Sequence, residues 1–347
     1  MKGSDTMNLS KSIEDILEKH NEKLPFSGAI LIKDKDIIFE QGYGYANRSE
    51  QIRNTSSTRF GIASGCKIFT SVAICQLVEE GALTFDTYLK DCVDVSFPNF
   101  DIGITLHHLL THSSGIPDYF DEEFMDDFEE LWKALPMYSV QSPKDFLPLF
   151  QNKKMKFSPG ERFSYNNAGY ILLGLVVEHV TGLDFTAYVE KNIFQKCGML
   201  DSGYFRMDRL PERTAIGYTG SEQSWRSNIY SVPIIGGPDG GAFTTVHDLD
   251  KFWDALFDNQ LLSPEYTNIL LTPYTKEDEN THYGYGVWIL ILDKTIFKYY
   301  VMGSDPGVIM QSSVYVKSKM HAHIIGNIDK GAGLIASKID ELIYRES

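Results

Sequence analysis

The spacing of hydrophobic and polar residues predicts strands near both ends of this chain and helices between them. Residues 27–33 and 37–45 alternate with a period of two on either side of a charged turn, which is typical of a hairpin. The alternation returns after Gly284 and predicts four more strands, over residues 286–292, 295–302, 308–316 and 321–328. A sheet that takes strands from both ends must bring those ends together.

A helical period fills much of the rest of the chain. The clearest helices cover residues 8–21, 68–80, 168–180 and 332–344. The second and third are almost wholly apolar, so we expect them to be buried, and Gly81 and Gly182 end them. A shorter helix over 104–111 is capped by Thr105, and another follows Thr245, which forms a capping-box pattern with Asp248.

Strands at both ends with helices between them indicate an α/β fold of the α+β type, in which an antiparallel sheet is flanked by helices and a helical region is inserted. We predict one domain over residues 8–345. Residues 8–60 and 240–345 form its α/β part, and residues 64–235 form its helical part. Residues 1–7 are polar and are expected to be a disordered start or a remnant of an expression vector.

Composition narrows the class of protein. With 347 residues, 43% hydrophobic and 23% charged, the chain has the balance of an ordinary globular protein. Its formal charge of −15 argues against a nucleic-acid partner, which needs clustered lysine and arginine. No secretory leader is visible and the longest apolar stretch, 168–180, is too short to span a membrane, so we expect a cytoplasmic protein. The four cysteines lack the spacing of a zinc site and are predicted to be free thiols.

One short motif carries candidate chemistry. Ser64 precedes Lys67 by three residues at the predicted start of a helix, so both side chains lie on one helical face. A lysine amine in that position can activate a serine nucleophile, and free N–H groups at the helix start can stabilise an oxyanion. A chain of this length contains about one Ser-x-x-Lys by chance. This is the only one in the sequence.

Tyr165 and Asn167 form a second candidate, between a Ser-Pro-Gly turn and the helix over 168–180. A phenol with a pKa of about 10 is a poor base alone, but beside an ammonium it can relay a proton. We therefore expect Lys67 to lose part of its basicity in a half-buried cleft and Tyr165 to gain acidity. Asn167 can hold the lysine and a substrate amide. Taken alone, these residues would be an ordinary surface turn.

Together these segments resemble the serine β-lactamase and penicillin-binding-protein superfamily. Within it they look most like the branch of class C β-lactamases, D-Ala carboxypeptidases and family VIII esterases. Residues 64–67 are similar to the family's nucleophile motif, and residues 165–167 are similar to its Tyr-x-Asn motif. Further similar stretches are residues 105–119, 157–160, 167–170 and 241–249.

The third motif of the family is altered in this chain. The family places Lys-Thr-Gly or His-x-Gly on a strand shortly before Pro-Gly. Counting back from Pro306 assigns three residues to this motif: Val301, Met302 and Gly303. The resemblance implies that they line the substrate cleft. Valine replaces the basic residue that binds a substrate carboxylate, so we expect poor recognition of β-lactams and D-Ala-D-Ala peptides unless Lys298 or a loop cation takes its place.

The resemblance implies a serine hydrolase that works through an acyl-enzyme. Ser64 would attack the substrate carbonyl, and Lys67 and Tyr165 would move its proton to the leaving group. Asn167 would position Lys67 and the substrate, and the N–H groups of Ser64 and Ser304 would form the oxyanion hole. The expected substrate is an ester or a small amide or peptide, and no metal or cofactor is expected.

Two alternatives to this function stay open. The first is a β-lactamase or D-Ala-D-Ala carboxypeptidase that binds penicillin. The second is a non-catalytic sensor or binding protein that retains the fold. The sequence predicts a small-molecule or peptide partner, no nucleic acid and no membrane span, and it leaves the oligomeric state open.

Other residues have both a functional and a structural interpretation. His108 and His112 have the spacing of zinc ligands, but a structural role is favoured because no third ligand stands nearby in the sequence. The glycine-rich segment 236–241 could cradle a phosphate, but without a following Gly-Lys-Ser it is better interpreted as a loop near the cleft. Five aromatic residues are candidates for the cleft wall: Tyr119, Trp225, Tyr230, Tyr283 and Tyr285.

Overall fold

The computed structural model describes residues 3–221 and 223–346. The strands of this part are β1 (Gly28–Lys33), β2 (Ile37–Tyr43), β3 (Tyr45–Asn47), β4 (Ile52–Arg53), β5 (Phe60–Gly61), β6 (Tyr218–Thr219), β7 (Arg226–Ser227), β8 (Phe243–Thr244), β9 (Thr275–Lys276), β10 (Thr281–Tyr283), β11 (Trp288–Leu292), β12 (Thr295–Asp305), β13 (Val308–Tyr315) and β14 (His321–Gly326). The helices are α1 (Gly3–Asn21), α2 (Lys67–Glu79), α3 (Leu89–Cys92), α4 (Leu106–Leu110), α5 (Leu131–Ala134), α6 (Asn167–Thr181), α7 (Phe185–Val189), α8 (Gln195–Cys197), α9 (Val246–Phe257), α10 (Pro264–Leu270) and α11 (Ala332–Glu346).

Among the described residues, the main sheet has eight strands in the order β2-β1-β14-β13-β12-β11-β10-β9. The strand from the start of the chain meets the last strand inside this sheet, because β1 pairs with β14 and Gly28 lies opposite Gly326. Helices cover the sheet, and the residues between β5 and β8 form the mostly helical insertion. The predicted antiparallel sheet from both chain ends, flanked by helices, is confirmed.

Alternating side chains of β1 divide the hydrophobic core into two layers. Ala29 and Leu31 belong to the larger cluster, which contains the apolar residues of α2 and α6. Ile30 and Ile32 belong to a smaller cluster with α1 and α11. Both faces of the strand are therefore buried, and the two layers hold the sheet between the terminal helices and the inserted region.

Several boundaries differ from the sequence prediction. β12 continues to Asp305, three residues beyond the predicted end, because those residues stay paired with β13. The short strands β9 and β10 were not predicted, since two or three residues carry too little periodicity to be recognised. The backbone is helical from Gly3, so residues 3–7 continue α1 instead of forming a separate start, and residues 1 and 2 lie outside the described part. No glycine or proline interrupts residues 4–21.

Helix caps agree with the sequence in part. Thr105 caps α4 and forms a reciprocal capping box with His108. Thr245 caps α9 by accepting from the Asp248 N–H, but the Asp248 carboxylate accepts from Asp201 and Ser202 instead of completing a capping box. The capping box is incomplete because a neighbouring loop supplies the donors that bind the Asp248 carboxylate, in place of the Thr245 backbone N–H.

The four cysteines are free thiols, as predicted. No single helix in the described part is long and apolar enough to cross a membrane. The pair Asn167–Thr181 and Phe185–Cys197 meets the length and composition criteria only when taken together across a bend of 77°.

Candidate active site

Ser64 lies in a short 3-10 turn, Ala63–Cys66, that runs directly into α2. Its side chain is half-buried. Ala63 has a positive φ of 45°, an uncommon backbone conformation for a residue with a side chain, and this turns the chain sharply from β5 into the helix. The first N–H groups of a helical segment have no partner within it, so the Ser64 N–H is available to a ligand.

Lys67 is the first residue of α2 and is buried, with 1% of its surface exposed. Its Nζ donates to three acceptors: the Ser64 Oγ at 2.8 Å, the Asn167 Oδ1 at 2.8 Å and the Asp239 carbonyl oxygen at 2.6 Å. An ammonium has three N–H groups, so this set satisfies all of them. The side chain is thus held against the Ser64 hydroxyl in one orientation.

The resting protonation of this pair differs from the sequence expectation. Burial acts to lower the pKa of Lys67, but the charge that Tyr165 carries when it is ionised and the charge of Asp239 outweigh it and raise the pKa above its ordinary value. Burial also raises the pKa of Tyr165, although the Lys67 charge acts to lower it. The expected loss of basicity at Lys67 and gain of acidity at Tyr165 are therefore wrong. At neutral pH the resting pair is an ammonium and a phenol.

The start of α6 holds Asn167 in place. Asn166 caps this helix by accepting from the Gly169 N–H at 2.7 Å. The buried Asp118 carboxylate accepts from the Asn167 N–H at 2.7 Å and from the Ala168 N–H at 2.9 Å. Burial raises the pKa of Asp118 to about 7, against the lowering effect of these donors. The Asn167 side chain is thereby directed at Lys67.

Tyr165 sits between aromatic rings and Lys67. Its ring centre lies 4.4 Å from that of His112, with the two planes tilted by 41°. It is nearly parallel to the Trp288 ring, with centroids 6.0 Å apart. Lys67 Nζ lies 5.0 Å from the centre of the Tyr165 ring. His112 is buried and accepts from the Asn166 N–H through Nδ1, and burial holds its pKa well below the ordinary value. The neutral imidazole of His112 therefore packs against the phenol ring of Tyr165.

β12 approaches the Ser64 turn closely because residue 303 is glycine. A Cβ atom at Gly303 would lie 2.9 Å from the Ser64 nitrogen and 2.2 Å from the Ile62 carbonyl oxygen, which no other residue could tolerate. Ser304, the next residue, is exposed and lines the cleft beside Ser64. The two residues assigned to the oxyanion hole are thus brought to the same cleft.

Val301 is where the structure departs from the expected cleft wall. Its side chain is only 3% exposed and packs in the larger core cluster. Met302, Gly303 and Ser304 line the cleft, and Val301 does not. The alternation of the strand explains this, because Val301 points to the core face and Met302 to the cleft.

No residue replaces the missing motif cation in the described part of the cleft. Lys298 is buried and pairs with Asp340 of α11 at 2.7 Å. Arg226, in the two-residue strand β7, lines the cleft, but Glu129 binds its guanidinium at 2.6 Å. Both alternatives suggested by the sequence are therefore occupied by carboxylates.

Two cavities meet at Ser64. The larger, of about 800 Å³, is lined by residues that include Asn167 and Tyr119, and the smaller, of about 250 Å³, by residues that include Tyr165 and Met302. Ser64 and Ser304 line both cavities. The Ser64 hydroxyl therefore lies between two cavities, which can bind the two halves of a substrate.

Asp239 is a site residue that sequence reasoning missed. It lies in the glycine-rich loop 236–241, where its carbonyl oxygen accepts from Lys67 and its buried carboxylate accepts from the Tyr119 hydroxyl. A Cβ at Gly236 would lie 2.3 Å from the Gly241 carbonyl carbon, so glycine lets this loop fold back on itself. The available signal in the sequence was an acidic residue inside the glycine-rich segment. The Asp239 carboxylate also makes this loop unsuited to phosphate, because both groups are negatively charged.

The remaining candidates have structural positions. His108 bonds Thr105 at the start of α4, whereas His112 contacts Tyr165, so the two histidines do not act together. Among the five aromatic candidates only Tyr119 lines either of the two cavities that meet at Ser64. The others are buried in the core or lie outside the cleft: Tyr283 and Tyr285 in the first group, Trp225 and Tyr230 in the second.

One cluster elsewhere has the chemistry of a metal site. Asp250, His321 and His323 offer ligand atoms within 4.8 Å of one another, on α9 and β14. The Asp250 carboxylate already accepts from the Lys33 ammonium at 2.6 Å and from His321 Nδ1 at 2.8 Å. A lysine thus occupies the position of a cation, and none of these residues lines the Ser64 cleft.

Comparison with known proteins agrees with this geometry. The family model described as Beta-lactamase matches residues 13–298. Penicillin-binding protein 4* of Bacillus subtilis (strain 168) is 28% identical over 302 residues, which are 82% of this chain and 64% of that protein. This chain therefore spans less than two thirds of the length of that curated relative.

Two solved structures share the whole architecture. A penicillin-binding protein from Bacillus halodurans is 53% identical, with a TM-score of 0.90 over 95% of this chain and 99% of that one. The octameric penicillin-binding protein homologue from Pyrococcus abyssi is 27% identical, with a TM-score of 0.81 over 100% of this chain and 77% of that one. With the family match over most of the chain, these findings show that the protein belongs to the Beta-lactamase family, within the superfamily of serine hydrolases that includes the penicillin-binding proteins.

Proposed function

We propose that this protein is a serine hydrolase that cleaves an ester or a small amide through an acyl-enzyme on Ser64. The observation that carries the proposal is the bond between Lys67 Nζ and Ser64 Oγ at 2.8 Å, at the point where two cavities meet. A binding protein that retained only the fold would have no need to bury a lysine against that hydroxyl. This argues against a non-catalytic sensor.

The reaction forms one bond and breaks one. Ser64 Oγ bonds to the substrate carbonyl carbon, and the N–H groups of Ser64 and Ser304 stabilise the oxyanion. The bond to the leaving group then breaks, and the proton lost by Ser64 reaches the leaving group through Tyr165 and Lys67. Water releases the acid in a second, equivalent step.

The resting ammonium and phenol set a condition on this route. With the pKa of Lys67 and the pKa of Tyr165 both raised, neither group can accept a proton until the pair has lost one. The Lys67 charge favours a phenolate at Tyr165 in that deprotonated state. The base that takes the Ser64 proton is therefore the pair, and we expect its supply to limit the rate near neutral pH.

The position of Tyr165 indicates which cavity binds the leaving group and which binds the acyl group. Because Tyr165 lines the smaller cavity and protonates the leaving group, the leaving group occupies that side. The acyl group then occupies the larger cavity, beside Asn167. This orientation gives the carboxamide of Asn167 a substrate amide or carbonyl to bind.

A fluorophosphonate probe tests the nucleophile without a guess at the acyl group. We expect one probe molecule to label the protein, with the adduct on Ser64 in a mass spectrum of its peptides. Ser64→Ala should lose the label and several orders of magnitude in p-nitrophenyl acetate turnover. Ser49→Ala, at an exposed serine of the turn between β3 and β4, is the matched control and should keep both. Turnover that survives Ser64→Ala would refute the assignment.

A second candidate function is slow acylation by penicillin. It is favoured by the 53% identity to a penicillin-binding protein. The carboxylate of a penicillin, however, would enter a cleft where Glu122 and Glu277 line the smaller cavity and no free cation faces it among the described residues. We therefore expect at most slow formation of a penicilloyl adduct, measured as a mass shift on Ser64. Rapid turnover would favour a true β-lactamase.

A further inference from the structure

The larger cavity is strongly acidic. Among its described lining residues are seven carboxyl groups and one basic side chain, Arg226. Glu129 binds Arg226 at 2.6 Å and so cancels its charge. Lys67 is not among the lining residues, and its three N–H groups are taken by Ser64, Asn167 and Asp239. The cavity that receives the acyl group therefore presents a net negative field.

Asp305 differs from the other acidic residues of this cavity because it is half-buried and has no hydrogen-bond donor among the described residues, whereas Glu122 and Asp126, which also lack one, are exposed. It follows Ser304 at the end of β12, and its side chain is half-buried. Asp239 is bound by Tyr119 and Asp329 by the Gly307 N–H, but no donor in the described part of the chain reaches the Asp305 carboxyl. Burial and the nearby charge of Asp239 raise the pKa of Asp305 to about 7, although the charge of Lys67 acts to lower it. The carboxyl lacks the counter-ion that its position calls for.

Asn228 supplies an independent observation in the same cavity. Its side chain is 3% exposed, and its Nδ2 donates to the carbonyl of Pro306, the residue after Asp305, at 2.9 Å. Its Oδ1 is buried and has no hydrogen-bond partner in the described part. An unpaired buried acceptor costs free energy, which a ligand that brings a donor would recover. Thr219 Oγ1, also in this lining, is unpaired in the same way.

We propose that the larger cavity binds an acyl group that carries a primary ammonium, with Asp305 as its counter-ion and Asn228 as a hydrogen-bond acceptor. This inference rests on the proposed function, which assigns the acyl half of the substrate to that cavity. An ammonium offers three N–H donors and a positive charge, whereas the groups awaiting a partner are two acceptors and a carboxylate. A neutral acyl group would leave them unpaired, and an anionic one would be repelled.

The test uses substrates that differ only in the ammonium. Alanyl p-nitroanilide, in both configurations, carries the charge, and isobutyryl p-nitroanilide replaces the ammonium with a methyl group of similar size. We expect kcat/KM to favour one alanyl substrate over the isobutyryl substrate by at least about tenfold, as for a charge-assisted hydrogen bond. Asp305→Asn should reduce that ratio by roughly ten- to hundredfold. Asp258→Asn, at an exposed carboxylate outside both cavities, removes the same charge and should leave the ratio unchanged.

A second measurement needs no variant of the cleft. Isopropylammonium should inhibit p-nitrophenyl acetate hydrolysis by the native protein competitively, and isopropanol at the same concentration should not. Equal turnover of the charged and neutral anilides, or equal inhibition by the two small molecules, would overturn the ammonium site while Ser64 labelling still supported the hydrolase. Inhibition of p-nitrophenyl acetate hydrolysis by micromolar calcium would instead identify a metal site in this cavity. That result would also overturn the proposed ammonium site. Loss of both labelling and turnover would overturn the proposed function and this inference together.

Discussion

Two clusters of lysine and aspartate have opposite electrostatic character in this protein. The cleft cluster contains Lys67, Asn167, Asp239 and Asp305, and the sheet cluster contains Lys33, Asp250, Asp254, His321 and His323. In the sheet cluster the lysine bonds two carboxylates, at 2.6 and 2.9 Å. In the cleft cluster the lysine bonds a hydroxyl and two neutral oxygens, and the carboxyl of Asp305 is left without a donor.

The pKa values follow this difference. Burial acts to raise the pKa of Asp250, but hydrogen bonds from His321, His323 and Lys33 outweigh it and lower the pKa. Burial raises the pKa of Asp305 to about 7, and the charge of Asp239 adds to the rise. The same residue type is thus stabilised as an anion in one place and strained as an anion in the other. Charge that is compensated holds a fold together, and charge that is left uncompensated is available to a substrate.

The largest expected effect separates the two lysines. Lys67→Met should lower p-nitrophenyl acetate turnover by about three to four orders of magnitude, because the proton-transfer pair is lost. Lys33→Met, the matched change in the sheet cluster, should keep turnover within about twofold and lower the melting temperature instead. The measurements are steady-state rates and thermal unfolding of both variants.

The phenol provides the control for this prediction. Tyr165→Phe combined with Lys67→Met should be little slower than Lys67→Met alone, because the two groups act as one unit. Two losses that simply add in log rate would show that they act separately.

The second effect compares the two aspartates. Asp250→Asn should reduce the free energy of unfolding by about 1–3 kcal/mol, because the buried histidines lose their anion and Lys33, which keeps Asp254, loses one of its two carboxylates. Asp305→Asn removes a carboxyl that has no donor and should leave stability equal or higher. Urea unfolding of the two variants measures this. A greater loss in the Asp305 variant would contradict the proposed difference between the clusters.

The third effect is the pH dependence of the rate. Since Lys67 and Tyr165 both have raised pKa values, both are protonated in the resting protein. The pair must lose one proton before it can accept the proton of Ser64. We expect kcat/KM for a neutral ester to rise about tenfold per pH unit above neutrality, until the pair is deprotonated. A profile that is flat above pH 7 would mean that a base is already free there, against the assignment.

The fourth effect is the pH dependence of stability that Asp305 adds. A carboxyl whose pKa is raised to about 7 by folding binds more protons in the native state than in the unfolded state at intermediate pH. Its contribution is therefore present at low pH and is lost as pH rises through about 7. The stability of Asp305→Asn relative to the native protein should grow by on the order of 2 kcal/mol between about pH 4 and pH 7. Unfolding curves of both proteins across that range give the difference.

The smallest expected effect concerns metal. Dialysis against EDTA should change neither turnover nor melting temperature, because Lys33 already supplies the cation of the sheet cluster and the serine route needs no Lewis acid. Activity or stability that zinc restores would make Asp250, His321 and His323 a metal site. The Asp250→Asn variant would then lose the response to zinc.

The sequence by itself determined the sheet from both ends, the buried helices and the identity of the candidate nucleophile. Periodicity over long segments is a local property, and it located β12, β13 and α6 to within a few residues. The spacing of Ser64 and Lys67 is also local, because one helical turn brings them together whatever surrounds them. Gly303 before Pro306 likewise located the strand that packs against the Ser64 turn.

Only the tertiary structure decided the electrostatics of the cleft. The burial of Val301, the pairing of Lys298 with Asp340 and the bond from Lys67 to the Asp239 carbonyl all join residues distant in sequence. The direction of a pKa shift depends on burial and on charges brought from other segments, so the sequence expectation for Lys67 and Tyr165 was wrong. Periodicity reports which residues are buried, but the neighbours that each charge meets are settled only when the distant segments pack together.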